Sequence, residues 1–272
     1  MLKLKYLTHG VDCMGINFHD RRNKDSYTTR KADQTWKETM ERLVRPATRK
    51  HAVDIGCGGG IYTKALADLG VSSVTGVDFS EAMLTGAREK IGADRRLTLQ
   101  KGSAQDTGLE DGCSDMVLQR ALIHHMKDLH PCFLEARRLL REGGVVIVQD
   151  RTPEDCFLPG SEEHIRGYLF SLFPRLVDQE VNRRHRSERV VHELEATGFQ
   201  QVSVHRLWET RHRYPSKERL FEDLRARNGR SILHELSNDE MEELIRHLEM
   251  ELPEGEIVEK DRWTIWQAVV RE

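Results

Sequence analysis

The chain has 272 residues, 38% of them hydrophobic and 32% charged, with a formal net charge of −3; that suits one packed body with room for a subdomain and gives no basic field for DNA or RNA. No apolar run approaches the roughly 20 residues of a membrane span, and the start "MLKLKYLTHG" has neither the apolar core nor the cleavage pattern of a secretory signal. Cys13, Cys57, Cys113, Cys132 and Cys156 are scattered without a C-x-x-C pair, so reduced thiols in the cytoplasm are expected, with no disulfide frame, no metal site and no membrane partner.

Residues 1–50 are polar and close on a helical pattern, "ADQTWKETMERLV"; they are expected to form an N-terminal lid and helical segment. Residues 51–272 read as one domain. It opens with "HAVDIG", helical "YTKALADLG", "SVTGVDFS" and helical "EAMLTGAREKIG". "LTLQKGSA", "DMVLQRAL", helical "LHPCFLEARRLLR" and "GGVVIVQD" follow. Short apolar strands alternating with helices predict right-handed βαβ units and a parallel sheet covered on both faces. After Asp150 the rhythm breaks into a proline- and aromatic-containing stretch with a short helix. A helix "SERVVHELEATGF" and a strand "QQVSVHRLWE" resume it; two helical patterns then precede a last strand, "WTIWQAVV". The two interruptions, about 151–185 and 211–260, follow strands, where an open sheet builds its ligand crevice. They are expected to cover a site as helical insertions.

Between the first strand and its helix stands "VDIGCGGGIY", with Gly56, Gly58, Gly59 and Gly60 in five positions. Each glycine inside a regular element costs roughly 0.5–1 kcal/mol relative to alanine, so the bare backbone here reads as room for a ligand. A strand ending in a glycine turn that opens a helix suits an anionic or nucleotide-like group. The dinucleotide pattern G-x-G-x-x-G does not close, because Ile61 or Thr63 stands where the third glycine belongs, and no Gly-Lys-Ser/Thr follows for a P-loop. The pattern present is D-x-G-x-G-x-G, from Asp54 through Gly56 and Gly58 to Gly60.

With these motifs the chain resembles the class I S-adenosylmethionine-dependent methyltransferases, in particular the broad group acting on small molecules, from about Ala52 to Asp150. The resemblance implies an α/β, doubly wound, Rossmann-like sheet of seven mostly parallel strands with an antiparallel last strand. It also implies S-adenosyl-L-methionine as cofactor and S-adenosyl-L-homocysteine as product. Asp54, Gly56, Cys57, Gly58 and Gly60 would then form the loop beside the cofactor's methionine part. Asp78, ending the second strand 22 residues after Gly56, would accept the ribose hydroxyls, with Phe79 and Met83 near the adenine. Gly102, Ser103 and Ala104 would border the adenine, Ser103 replacing the aspartate frequent in the family. Gln119 would meet the methionine part, and Tyr27 and Arg30 would be lid contacts, Arg30 toward the cofactor carboxylate.

Methyl transfer from a sulfonium needs orientation and exclusion of water, and a general base only where the nucleophile must lose a proton. Candidates for the catalytic role are His124, His125 and Tyr168; for His125 a structural hydrogen bond is the alternative. The place after the fourth strand reads "QRAL", not the Asn/Asp-Pro-Pro-aromatic loop of enzymes that methylate bases. The expected acceptor is therefore a small molecule, methylated on O, N or C, with Arg225, Arg227 and Arg230 as possible contacts to a carboxylate. An RNA or protein methyltransferase, and a cofactor-binding protein without catalysis, stay open as alternatives.

Overall fold

The structure, a computed structural model, describes residues 31–228 and 230–271. Seven strands form one sheet in the order β3-β2-β1-β4-β5-β7-β6: β1 (His51–Ile55), β2 (Ser73–Asp78), β3 (Leu97–Lys101), β4 (Ser114–Arg120), β5 (Leu140–Asp150), β6 (Gln200–Tyr214) and β7 (Ile257–Val269). The first five pair in parallel, while β7 runs antiparallel to both of its neighbours. This is the expected mostly parallel, doubly wound sheet.

Both faces are buried, as parallel strands require. Val53, Ile55, Val117, Val146 and Val148 pack on one face with α4 (His130–Leu139) and α8 (Ser187–Ala196). Ala52, Met116, Leu118, Val145 and Ile147 point the other way, toward α1 (Gln34–Val44) and α2 (Ile61–Asp68). That alternation is the period-2 geometry of a strand. α3 (Glu81–Ile91) starts where Ser80 caps it, the hydroxyl accepting from the Met83 amide.

The last two strands are longer than their apolar runs. β5 pairs with β7 only from Val145↔Val269 to Asp150↔Thr264; beyond that, β6 and β7 continue alone to Tyr214↔Ile257. A two-stranded ribbon thus projects past the carboxyl end of β5. The sequence reading ended β6 near Glu209 and began β7 at Trp263, because the extension buries Glu259 and Asp261 on the same face as Ile257 and Trp263. Acids at inward positions hide a strand from hydrophobic patterning.

The ribbon carries the second insertion, with α9 (Lys217–Arg225) and α10 (Asn238–Glu251). The first holds α5 (Pro153–Cys156), α6 (Ile165–Leu172) and α7 (Val177–Arg183). Both feed one apolar core, in which Ile165, Leu169 and Phe170 join Leu220, Leu244 and Leu248. α10 begins at a reciprocal capping box between Ser237 and Glu240.

α1 is tied to the sheet by a fully buried bond: Trp36 Nε1 donates to Gln149 Oε1 at 2.8 Å. Gln149 in turn donates to Glu209 Oε2 at 3.1 Å. Trp36→Phe leaves the Gln149 oxygen without a donor, and a buried unmet acceptor costs about 1–3 kcal/mol. A urea titration should show the midpoint falling accordingly, with the slope unchanged.

Candidate active site

The glycine loop is anchored from below. The amides of Gly56 and Cys57 both donate to the Val77 carbonyl, at 2.8 and 3.0 Å. Gly56, Gly58 and Gly60 have φ of +76°, +50° and +74°, a region most side chains avoid. A Cβ on Gly58 would meet only Met83 Cε, at 3.3 Å, whereas one on Gly56 would strike Leu122 at 2.8 Å. A Cβ at Gly58 would thus press only on the flexible end of Met83, whereas Gly56 is bare because the loop after β4 packs on it.

Asp78 ends β2 and is buried. Its Oδ2 accepts from the Gly58 amide and its Oδ1 from the Ser80 amide, each at 2.9 Å. Burial raises its carboxyl above the ordinary value, and these amides partly offset that. The Phe79 amide adds a third bond, so of about four lone-pair sites on the carboxylate one remains for a hydroxyl donor. Phe79, beside Asp78 at the strand end, is 53% exposed.

The carboxyl ends of β4 and β5 hold the charged chemistry. Ala121, with φ +51°, turns the chain out of β4, a strained conformation of the kind found at functional sites. The turn sends Leu122 onto Gly56 and brings His124 over Asp150. The Asp150 carboxylate takes the His124 ring at Nδ1 (2.9 Å), the His124 amide (3.2 Å), the Arg151 amide (2.8 Å) and Arg184 Nη1 (2.8 Å). Burial alone would raise Asp150, but His124 and Arg184 hold it well below the usual carboxylate range. An ionised carboxylate only accepts, so Nδ1 carries the proton and Nε2 keeps its lone pair. Burial lowers His124 below its ordinary value despite Asp150, which raises it. The ring is neutral at pH 7 and oriented, as a general base must be.

A chain of ion pairs continues from Asp150. Arg184 also reaches Glu180 at 3.1 Å, Arg166 pairs with Asp261 at 3.0 Å, and Arg151 pairs with Asp261 at 2.8 Å. On the other side Arg120 holds both oxygens of Glu209, at 2.8 and 2.9 Å. Its guanidinium lies 4.0 Å from the Tyr62 ring centre and 4.4 Å from that of Trp263. Arg151 lies 4.4 Å from the same Trp263 ring.

The predicted site residues are therefore divided. Gly56, Gly58, Gly60, Asp78, Phe79 and Met83 come together around the loop, and His124 stands at the ends of β4 and β5. His125 stacks against His124, ring centres 4.0 Å apart, and burial with that neighbour pushes it down to about 3. Ser103 spends its hydroxyl on the amides of Gln105 and Asp106, at 3.3 and 3.0 Å. Ala104 is buried in the core against β1 and β4. Cys57 is buried, and burial raises its thiol, which leaves it unreactive. Tyr27 and Arg30 lie outside the described residues.

At Gly102 a Cβ would meet the Thr107 carbonyl at 2.5 Å, so the chain itself also needs a glycine there. Three expectations need correction. Gln119 is fully buried between β1 and β5, with its amide nitrogen 3.3 Å from Cys132 Sγ and its Oε1 unpartnered, so its side chain does not reach a ligand. Tyr168 packs across Gly160 and edge-on to His247, with ring centres 5.0 Å apart, inside the cap. Arg225 is a half-exposed partner of Glu242, and Arg227 reaches the Leu233 carbonyl and Asn238; only Arg230 is buried, against Glu259. Asp150, Arg120 and Arg151 were missed as site residues. The available signal was a charged residue ending an apolar run at a carboxyl strand end, which is costly unless used.

Residues 53–148 match the family model described as "Methyltransferase domain". The demethylmenaquinone methyltransferase of Staphylococcus aureus strain MRSA252 is 29% identical over 116 residues, 42% of this chain and 48% of that protein. The enzyme of the same name from Bacillus licheniformis is 26% identical over 151 residues, 55% and 64% of the two chains. The matches thus span about half to two thirds of these relatives. Among solved structures, a chain from Anabaena variabilis named for a methyltransferase of an antibiotic biosynthesis pathway is 21% identical with a TM-score of 0.66. The match covers 88% of this chain and 98% of that one. Phosphoethanolamine N-methyltransferase 2 of Haemonchus contortus, in complex with S-adenosyl-L-methionine, is 19% identical with a TM-score of 0.60. It covers 94% of this chain and 60% of that one. At these identities the structures share the fold.

Asp54 gives this site a pH signature. It is 2% exposed and accepts from Thr63 Oγ1 at 2.7 Å; burial raises its carboxyl from 3.8 to about 6. The folded chain holds this proton more tightly than the unfolded one, so stability falls as pH rises from about 4 to about 6 and is level above. Asp54→Asn keeps an acceptor for Thr63 and removes the buried charge. It should gain up to about 3 kcal/mol at pH 7, with the gain gone near pH 4. Equal stabilities in urea at pH 7 would contradict this.

Proposed function

We propose that this chain, which carries a class I S-adenosylmethionine-dependent methyltransferase domain, transfers a methyl group to a small-molecule acceptor that must lose a proton. The observation that carries the reading is the neutral His124 held by Asp150, two residues beyond the Leu122 that seats on the glycine loop. A protein that only bound the cofactor would have no use for an oriented, neutral base there. The relatives' acceptor is not carried over, because the matches span only part of those proteins.

The residues present fit the cofactor. The glycine loop at Gly58, the Asp78 carboxylate with its remaining lone pair and the partly exposed Phe79 would hold its methionine, ribose and adenine parts in turn. S-adenosyl-L-methionine, when bound, supplies an electrophilic methyl on a sulfonium. His124 Nε2 takes the acceptor's proton, and Asp150 stabilises the imidazolium that forms while fixing its tautomer. The helical insertions over the strand ends exclude water, which favours charge interactions inside.

His124→Gln should cut turnover by about 10²–10⁴-fold, read as S-adenosylhomocysteine formed from labelled methyl donor and a metabolite extract. Its S-adenosylhomocysteine affinity should match wild type. The wild-type acid limb should lie below 6.5, the ordinary histidine value, because His124 is lowered from it and activity is lost only as pH falls through the lowered value. Asp78→Ala should instead weaken S-adenosylhomocysteine binding at least tenfold, by about 1.4 kcal/mol or more; wild-type affinity in calorimetry would remove Asp78 from the site.

A further inference from the structure

Guanidiniums crowd the space under the cap: Arg120, Arg151, Arg166, Arg183 and Arg184 bond to Asp150, Glu180, Glu209 and Asp261. The crowding is felt at Arg151: burial and the neighbouring Arg166 push it down to about 10, and Asp261 only partly restores it.

Two of the five stand where an acceptor would approach. Arg120 ends β4 and Arg151 follows β5; their side chains stay 12% and 14% exposed, like His124 at 14%, whereas Arg166 and Arg184 are closed off at 4% and 2%. Each bonds to its carboxylate through one terminal nitrogen, and the Nε of each is buried without a partner. A guanidinium offers five donors in a planar fork matched to oxyanions. Both lie 4.4 Å from the Trp263 ring centre, so the two forks share one indole and are within twice that distance of each other.

We infer that the acceptor is an organic oxyanion, a carboxylate or a phosphate ester, anchored by Arg151 and Arg120 so that its nucleophile faces His124. The assignment rests on the methyl-transfer reading above and names the substrate class of that same site. The anion is the anchor and is not consumed.

The test uses the full chain saturated with S-adenosylhomocysteine, titrated calorimetrically with benzoate, phenyl phosphate and the neutral benzamide. At least one anion should bind, at least tenfold tighter than benzamide. Arg151→Gln, which keeps hydrogen-bond donors and loses the charge, should weaken that anion tenfold or more; a circular dichroism melt near wild type shows it folded. Arg225→Ala on the outer surface should change nothing. Whichever anion binds tighter identifies the headgroup. Benzamide binding as tightly as both anions, no binding of either anion, or unchanged affinity in Arg151→Gln overturns the inference. Loss of S-adenosylhomocysteine binding in the wild-type chain would instead overturn the cofactor reading, so the two failures are distinct.

Discussion

A single buried carboxylate, Asp150, decides the geometry of the site. It ends β5 fully enclosed, and a charge there is tolerable only if donors surround it. The four it receives come from three places: the loop after β4, its own chain direction into the first insertion, and Arg184, which caps the end of α7. Each donor is thereby fixed relative to the others. The His124 ring cannot rotate without uncovering the charge, and α7 cannot move without withdrawing Arg184.

From that point the network determines how the cap sits. Arg184 shares Glu180 with Arg166, which crosses to Asp261 on the ribbon of β6 and β7. A sheet with only parallel strands would stop at Asp150. The ribbon goes on because its inward positions carry acids that meet the arginines of the insertions. Buried ion pairs add little net stability compared with apolar packing, since desolvation cancels much of the attraction. Their contribution here is direction: an apolar contact tolerates sliding, and a guanidinium fork on a carboxylate does not. The apolar core shared by α6, α9 and α10 supplies cohesion, and the ion pairs supply register.

The two halves of the site obey different physics. Around the glycine loop the chain withholds side chains and offers backbone, with Asp78 stitching the loop to β2 through the Gly58 amide. At the ends of β4 and β5 it concentrates charge among aromatic rings. Leu122 joins the halves by packing on Gly56, so the loop and the His124 turn move as one surface.

The sequence by itself determined the sheet, the loop and the carboxylate after the second strand. Strand periodicity, helix caps and glycines that need positive φ are local properties, set within a few residues of where they act. His124 was legible as a candidate for the same reason: it follows an apolar strand directly. Tertiary structure alone decided the rest. Gln119 and Tyr168 sit at plausible positions in the chain, but their side chains are claimed by Cys132 and by Gly160 with His247. Glu209, Asp261, Arg166 and Arg184 carry no local signal, because nothing nearby in the chain shows that a partner 34 to 95 residues away will bury them. A charged residue's meaning depends on the dielectric and partners around it, and those exist only once the ribbon and the insertions have folded over the strand ends.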